Sequence, residues 1–97
     1  MRLRYTRPAL DDLDQILTWI SERSPRGANS VHRRIKTVLE LLCEFPGIGT
    51  PTSEPDLRRI TTHPYPYLIF YEARPDEIVI HAVRHAARDP EDMPGAD

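Results

Sequence analysis

The densest group of polar side chains able to do chemistry lies near the end of the sequence, in Arg84, His85, Arg88 and Asp89. Guanidinium groups hold phosphate or carboxylate through paired hydrogen bonds, and an imidazole changes its protonation near neutral pH. Together they provide the minimum set for metal-free RNA cleavage by the 2′-hydroxyl. The alternative is structural: His85 bonds nearby backbone, and Arg88 pairs with Asp89 or with a helix end.

Two further arginines, Arg58 and Arg59, begin a segment that is rich in β-branched residues. Neighbouring side chains of a strand point to opposite faces, so only one of the two lines the open side of a sheet, and the register decides which. We expect that arginine to bind phosphate or a partner's carboxylate, against the alternative of a solvated strand face. Three tyrosines lie nearby: Tyr65, Tyr67 and Tyr71. We expect them to pack in a half-buried sheet, against the alternative that they stack on a ligand or act as general acids.

Metal and cofactor sites are not predicted. The single cysteine, Cys43, has no partner for an internal disulfide, and its apolar helical surroundings predict a buried thiol. The sequence has neither a glycine-rich phosphate loop nor a Gly-x-Ser-x-Gly elbow. The histidines lack the spacing to acids or cysteines that a metal site needs; they are His32, His63, His81 and His85.

Length and composition predict one soluble domain over residues 1–89, followed by a flexible acidic tail at 90–97. The chain has 97 residues, 39% of them hydrophobic and 29% charged, with a net charge of −2. Residues 1–88 carry thirteen basic and eleven acidic side chains, so the body is mildly basic. No apolar run reaches the roughly 18 residues of a membrane span, and the start resembles a strand more than a signal peptide. We therefore expect a cytoplasmic protein without a membrane partner.

The first third of the sequence predicts an edge strand and a helix. Leu3 and Tyr5 alternate with arginines, which is typical of a short strand with one buried face. Thr6 supplies a capping hydroxyl and Pro8 suits a first helical turn. The helix that follows has one apolar stripe, in Ala9, Leu13, Ile16, Leu17 and Ile20, flanked by Trp19; Asp12, Asp14, Gln15 and Glu22 take its solvated side.

A second helix begins at Ser24 and Pro25, which repeat the same capping pattern. It ends near Phe45, because Pro46 cannot continue a helix and the glycines that follow accept left-handed backbone conformations. A proline-spaced loop is predicted up to about Asp56. The apolar stripe of this second helix packs against that of the first, and its members are Ala28, Val31, Ile35, Val38, Leu39, Leu42 and Phe45.

Three segments rich in β-branched and aromatic residues follow, at 57–62, 67–71 and 78–83. Pro64–Pro66 and Arg74–Glu77 separate them and are short enough for antiparallel connections. The predicted fold is therefore α+β, with the order β-α-α-β-β-β: an N-terminal edge strand and a helical hairpin packed on a three-stranded antiparallel meander.

Several fragments, taken in order, resemble the ParE/RelE superfamily of toxins from type II toxin-antitoxin systems, and the ParE branch most closely. The resemblance covers nearly the whole chain. Its fragments are Thr6–Leu13 with Ile16, Ala28, Phe45–Gly49, Tyr67–Tyr71 and Val83–Pro90.

The resemblance implies a cognate antitoxin that shields the toxin surface and through which alone the pair contacts promoter DNA. Apolar helix faces and an exposed strand edge suit such a partner. The residues expected to bind the antitoxin are Leu13, Leu17, Ile35, Leu39, Tyr67 and Tyr71.

Two targets are known in the superfamily. ParE-like members poison DNA gyrase by binding it, whereas RelE-like members cut messenger RNA in the ribosome with basic groups on the sheet and a late tyrosine or histidine. The ending at 85–90 is similar to ParE, no late tyrosine follows, and the net charge is not strongly basic, so gyrase binding without catalysis is favoured. The target-binding set is Arg58, Arg59, Arg84, His85 and Arg88; a nuclease would use Arg59, Arg84, His85 and Arg88.

Overall fold

The computed structural model describes residues 1–87 and forms one mixed sheet covered on one face by two helices. Its elements are β1 (Arg2–Tyr5), α1 (Arg7–Arg23), α2 (Pro25–Glu44), β2 (Thr50–Pro51), β3 (Leu57–Thr61), β4 (Tyr67–Ala73) and β5 (Glu77–His85). This order confirms the predicted α+β fold and adds the two-residue strand β2. Arg88, Asp89 and the predicted acidic tail lie outside the described residues.

The two helices form a hairpin whose ends are set by hydroxyl caps. Thr6 Oγ1 accepts the Ala9 N–H at 3.2 Å and so begins α1. The backbone N–H of Ser24 donates to the Ile20 carbonyl at 2.7 Å, while its Oγ accepts the Gly27 N–H at 3.0 Å. One residue therefore ends α1 and begins α2, which confirms both predicted caps.

The sheet has the order β1-β5-β4-β3-β2. Strands β3, β4 and β5 are consecutive antiparallel neighbours, as predicted. β1 lies at the edge and runs parallel to β5, from the pair Arg2↔Glu77 to the pair Tyr5↔Ile80. An extra residue, His81, forms a bulge between the pairs Tyr71↔Ile80 and Phe70↔Ala82.

The core lies between the helical hairpin and the sheet, because each contributes one apolar face. Leu13, Ile16, Leu17 and Ile20 of α1 are partly buried at its margin. The buried members of the core are Ala9, Val31, Ile35, Val38, Leu39, Leu42, Tyr67, Ile69, Tyr71, Ile78, Ile80 and Val83.

No helix within residues 1–87 is long and apolar enough to cross a membrane.

The segment after α2 differs from the sequence prediction. Gly47 and Gly49 do not adopt left-handed backbone conformations. Gly49 is instead required by contact, because a Cβ there would lie 2.6 Å from the ring of Tyr71 and 2.9 Å from the Arg59 carbonyl oxygen. Thr50 pairs with Arg59, so part of the predicted loop is strand. Cys43 is only partly buried.

Candidate functional site

The end of β5 lies against α1, and Asp12 joins the two elements. Its Oδ2 accepts the Val83 backbone N–H at 3.1 Å, and its Oδ1 accepts a hydrogen bond from Arg84 Nη1 at 2.5 Å. The Asp12 side chain is 14% exposed and that of Arg84 25%. The prediction that Asp12 lies on the solvated side of its helix was wrong, because its carboxylate serves as the acceptor for a strand edge.

The helix takes this position because β1 is shorter than β5. β1 pairs with β5 only as far as Tyr5↔Ile80, and the chain then enters α1. The Thr6 N–H donates to the Ile80 carbonyl at 3.0 Å, and the Thr6 hydroxyl donates to the His81 carbonyl at 3.4 Å. Since buried backbone groups need partners, polar groups of the α1 start replace the missing strand. This replacement positions residues 83–85 beside the helix.

Arg84 keeps binding capacity beyond its contact with Asp12. Its Nε is buried and has no hydrogen-bond partner among residues 1–87. A buried donor without an acceptor costs about 1–3 kcal/mol, and more when the group is charged. Nη2 of Arg84 also makes no hydrogen bond within residues 1–87, so the guanidinium keeps a donor for a further acceptor.

His85 follows on the neighbouring position and packs on Tyr67. Their ring centroids are 5.4 Å apart with an interplanar angle of 86°, an edge-to-face contact. The Ala87 N–H donates to His85 Nδ1 at 3.1 Å, so the neutral ring carries its proton on Nε2. His85 bonds nearby backbone, as the structural alternative predicted, while Nε2 has no hydrogen bond within residues 1–87.

These side chains line an open groove of about 490 Å³ between α1 and the ends of β4 and β5, here called the α1–β5 groove. Its wall on the sheet side carries Arg84 and His85, and its wall on the helix side carries Trp19. The lining residues are Asp12, Gln15, Ile16, Trp19, Tyr67, Val83, Arg84, His85 and Ala87.

Trp19 is the largest exposed apolar group at this groove. Its side chain is 58% exposed. The Arg23 guanidinium lies over its ring, 3.7 Å from the centroid, and Nη1 of Arg23 donates to the Trp19 carbonyl at 2.8 Å. The cation–π contact and the hydrogen bond together hold the guanidinium in place.

The register resolves which of Arg58 and Arg59 faces the open side of the sheet. Arg58 pairs with Tyr71 on the helix-covered face, and its Nη1 donates to the Gly49 carbonyl at 2.7 Å and to that of Gly47 at 3.3 Å. Arg59 pairs with Phe70 on the opposite, open face, and no hydrogen bond or ion pair of its side chain occurs in the described chain. Arg58 therefore anchors the loop after α2, and Arg59 is the arginine available to a ligand.

The three described members of the predicted nuclease set make no contact with one another in the described chain. Arg59 and Arg84 lie on the same face by register, since their partners on β4 are Phe70 and Leu68, but β4 separates them by a lateral distance of roughly 10 Å. Arg84 turns to Asp12, and His85 packs on Tyr67 at the helix-covered side. Arg88 lies beyond the described residues.

The open face of the sheet holds a different polar cluster, around Glu72. Its carboxylate lies 3.1 Å from His81 Nε2 and 3.2 Å from Arg74 Nε. Hydrogen bonds from Arg74 first, and then from His81, hold the pKa of Glu72 below its usual value. Glu77 pairs with Arg4 at 3.1 Å, and that hydrogen bond lowers the pKa of Glu77.

The residues predicted to contact an antitoxin fall into two groups. Ile35, Leu39, Tyr67 and Tyr71 are at most 7% exposed and pack in the core, whereas Leu13 and Leu17 are partly buried at its margin. Leu13, Ile35 and Leu39 also line a second groove, of about 380 Å³, between β1 and α2. This β1–α2 groove adjoins the free edge of β1; it is completed by Leu3, Tyr5, His32, Lys36, Glu40 and Cys43.

Tyr71 has a structural task. Its hydroxyl donates to the Pro46 carbonyl at 2.8 Å and accepts the Gly49 N–H at 2.9 Å. Burial raises its pKa, despite opposing contributions from Gly49 and the Arg58 charge. Burial likewise raises the pKa of Tyr67, so neither hydroxyl is poised to lose a proton near neutral pH.

Comparison with known proteins assigns the family. The family model described as "ParE toxin of type II toxin-antitoxin system, parDE" matches residues 3–90. The chain belongs to this family. The toxin is 36% identical over 84 residues to "Toxin RelE2" of Caulobacter vibrioides, covering 87% of this chain and 93% of the relative. It is 35% identical over 85 residues to Y4kP, a candidate toxin of Sinorhizobium fredii, covering 88% of each.

Solved structures share the toxin's fold. A chain of the "Chromosomal ParDE TA system from P. aeruginosa" superposes with a TM-score of 0.77 at 26% identity, covering 88% of this toxin and 95% of that chain. The isolated E. coli RelE toxin superposes with a TM-score of 0.64 at 18% identity, covering 91% and 86%. Membership confirms the predicted superfamily, and a type II toxin is expected to have a cognate antitoxin.

Sequence reasoning missed three residues that organise the toxin's surfaces: Asp12, Trp19 and His81. Positions 12, 16, 19 and 23 share one side of α1. This mixed polar and apolar stripe lies beside the core stripe, and the sequence pattern could have predicted a binding surface there. No comparable signal existed for His81, because its position on the open face arises from the bulge in β5.

Proposed function

We propose that the toxin arrests growth by binding DNA gyrase and stabilising its cleaved DNA, without a catalytic site of its own. The observation that carries this proposal is that Arg84 bonds Asp12 and His85 packs on Tyr67, while Arg59 lies two strands away from both. A nuclease needs such groups around one phosphate, whereas a binding surface does not. Membership of the ParE family and the net charge of −2 favour the same target.

The target-binding surface in this proposal centres on Arg84 and His85 at the α1–β5 groove. Arg59 contributes from the open face, and Arg88 belongs to the same predicted set. Arg58 is a weaker candidate, because its guanidinium is already bonded to two loop carbonyls. We place this activity in the cytoplasm, where gyrase is found.

The antitoxin in this proposal covers the β1–α2 groove and the free edge of β1. An edge strand presents unpaired N–H and C=O groups to which an extended segment can bond. The adjoining groove then receives the apolar side chains of that segment against Leu13, Ile35 and Leu39. Binding to promoter DNA is assigned to the antitoxin alone.

The test is a supercoiling and cleavage assay with purified gyrase, in which the toxin is added alone and then with its antitoxin. Linear cleaved DNA should accumulate with the toxin and disappear with the antitoxin. Arg84→Ala should weaken cleavage about tenfold or more, as expected for an arginine that anchors an interface. Arg33→Ala, an exposed arginine of α2, is the matched control. Gyrase unaffected by folded, growth-arresting toxin would refute this target.

Messenger RNA cleavage in the ribosome is the second candidate function, and the His81–Glu72 pair favours it. The pair lies on the open face that also carries Arg59, and a carboxylate beside an imidazole can orient it for proton transfer. His81→Gln tests the His81–Glu72 pair and His85→Gln tests the predicted nuclease set, with His63→Gln as an exposed control. Intact transcripts during growth arrest by the wild type would exclude this function.

A further inference from the structure

On its α1 side, the α1–β5 groove presents side chains that the predicted target-binding set does not include. Asp12, Ile16, Trp19 and Arg84 are among its lining residues, and Arg23, which adjoins the lining, lies over the Trp19 ring. Eleven residues of helix separate Asp12 from Arg23, a distance of roughly 16 Å. The groove therefore combines apolar side chains of α1 with the Arg84 guanidinium, and a second guanidinium lies beside it on Trp19.

The charges of the groove are not balanced from within. Asp12 is the acidic residue of the lining, and its carboxylate is occupied by the Val83 N–H and Arg84. Arg84 still has a buried Nε without an acceptor in the described chain. Within residues 1–87, the one ion pair of Arg23 is a 4.0 Å contact with Glu22, and both side chains are more than half exposed. Carboxylates from outside would complement both arginines.

The groove as a whole is large enough to receive a side chain of a partner. A volume of about 490 Å³ lies within the range of roughly 300–1,000 Å³ found for ligand sites. Tryptophan and arginine are the residues most often found at the energetic centres of interfaces. Arg23 already stacks on the Trp19 ring, which reduces the side-chain freedom that the two residues would lose on binding.

We propose that Trp19 and Arg23 of α1 form the second half of the target-binding site. The target protein inserts one large apolar side chain between Trp19 and Tyr67 and presents carboxylates to Arg84 and Arg23. This inference rests on the proposed function, because it takes the groove of Arg84 and His85 as the target surface. It adds the chemistry that the target must present and assigns a role to the toxin's single tryptophan.

The first test compares charge reversals on the same part of the chain. Arg23→Glu should weaken gyrase binding and cleavage at least about tenfold, because a carboxylate would then face the carboxylate of the target. Arg26→Glu makes the same charge change at an exposed position outside the groove and should leave both unchanged. Equal effects of the two reversals would overturn the proposal.

The second test removes the apolar contact. Trp19→Ala should lose cleavage at least about tenfold while antitoxin binding is retained, and Trp19→Phe should recover most of the loss. Leu10→Ala is the control, since Leu10 is an exposed apolar residue of the same helix and does not line the groove. Full activity of Trp19→Ala would overturn the proposal.

A direct readout uses the toxin labelled with 5-fluorotryptophan, which gives one ¹⁹F resonance because the chain has a single tryptophan. Unlabelled gyrase should shift or broaden that resonance, and the antitoxin alone should not. A shift caused by the antitoxin alone, or by raising the toxin concentration, would assign the groove to another occupant and overturn the proposal.

Growth arrest in cells separates this proposal from the identity of the target. If gyrase is unaffected by the wild type, the proposed function fails. Loss of growth arrest with Arg23→Glu and Trp19→Ala, but not with Arg26→Glu and Leu10→Ala, would still establish the groove as the target surface. Growth arrest by all four variants would overturn the inference whichever target is involved.

Discussion

Arg58 and Arg84 occupy two regions toward opposite margins of the same sheet, and their surroundings differ. Arg58 bonds two loop carbonyls, next to a Tyr71 hydroxyl that both donates and accepts. Arg84 bonds one carboxylate and retains a buried Nε with no acceptor in the described chain. The first region, here called the loop anchor, completes its own hydrogen bonds; the groove region leaves donors for a partner.

This difference shows that an arginine's availability depends on the acceptors that the fold brings to it. Each residue lies next to the end of its strand, and both were predicted from the sequence to bind the target. Only the tertiary structure supplies carbonyl oxygens to Arg58. Substitutions in the loop anchor should therefore change stability, whereas those in the groove should also change binding.

The largest effect is expected for Gly49→Ala in the loop anchor. The added Cβ would lie 2.5 Å from the Tyr71 hydroxyl oxygen and 2.9 Å from the Arg59 carbonyl, and the backbone carbonyl cannot move freely. Overpacking of this kind should lower the free energy of unfolding by about 3 kcal/mol. Urea denaturation measures it. Gly47→Ala is the control, because a Cβ there meets nothing within 4 Å.

Asp12→Ala should have the second-largest effect on stability. It tests the contrast between the loop anchor and the groove, because Asp12 lines the groove and also contributes to stability. The variant loses the acceptor of the Val83 N–H and the counter-ion of Arg84. We expect a loss of about 2 kcal/mol, since both side chains are partly exposed and solvent reduces the penalty. Asp14→Ala, on an exposed position of α1, should remain within about 0.5 kcal/mol of the wild type in the same denaturation experiment.

Tyr71→Phe should sharpen the contrast by removing only hydrogen bonds. The Pro46 carbonyl and the Gly49 N–H both lose their partner while the ring stays in the core. We expect about 1–2 kcal/mol of lost stability and unchanged target binding per folded molecule. A drop in binding larger than the loss of folded protein would contradict the division between the two regions.

The smallest effect is expected from acid, at the Glu72 cluster of the open face. The folded-state pKa of Glu72 is below its usual value, so its stabilising contribution is present above that value and is lost as the pH falls through the lowered one. Glu72→Gln should therefore reduce the loss of stability between neutral pH and about pH 3. Denaturation midpoints at both pH values measure this, and parallel curves for variant and wild type would count against it.

Local sequence determined the elements. Thr6 and Ser24 carry hydroxyls that cap the helices within three residues, and β-branched runs form the three meander strands. These features act over a few residues, so a linear pattern contains them. The superfamily followed from the order of such fragments, and the family match over residues 3–90 confirms it.

Tertiary structure alone decided how the polar groups were shared. Whether Arg58 or Arg59 is free follows from the pairing of β3 with β4, and the place of His81 follows from a bulge. Asp12 meets Arg84 across 72 positions of sequence, only because β1 stops short and α1 takes its place beside β5. A hydrogen bond between distant residues depends on register and strand length together, and neither is encoded in the type of the residues that form it.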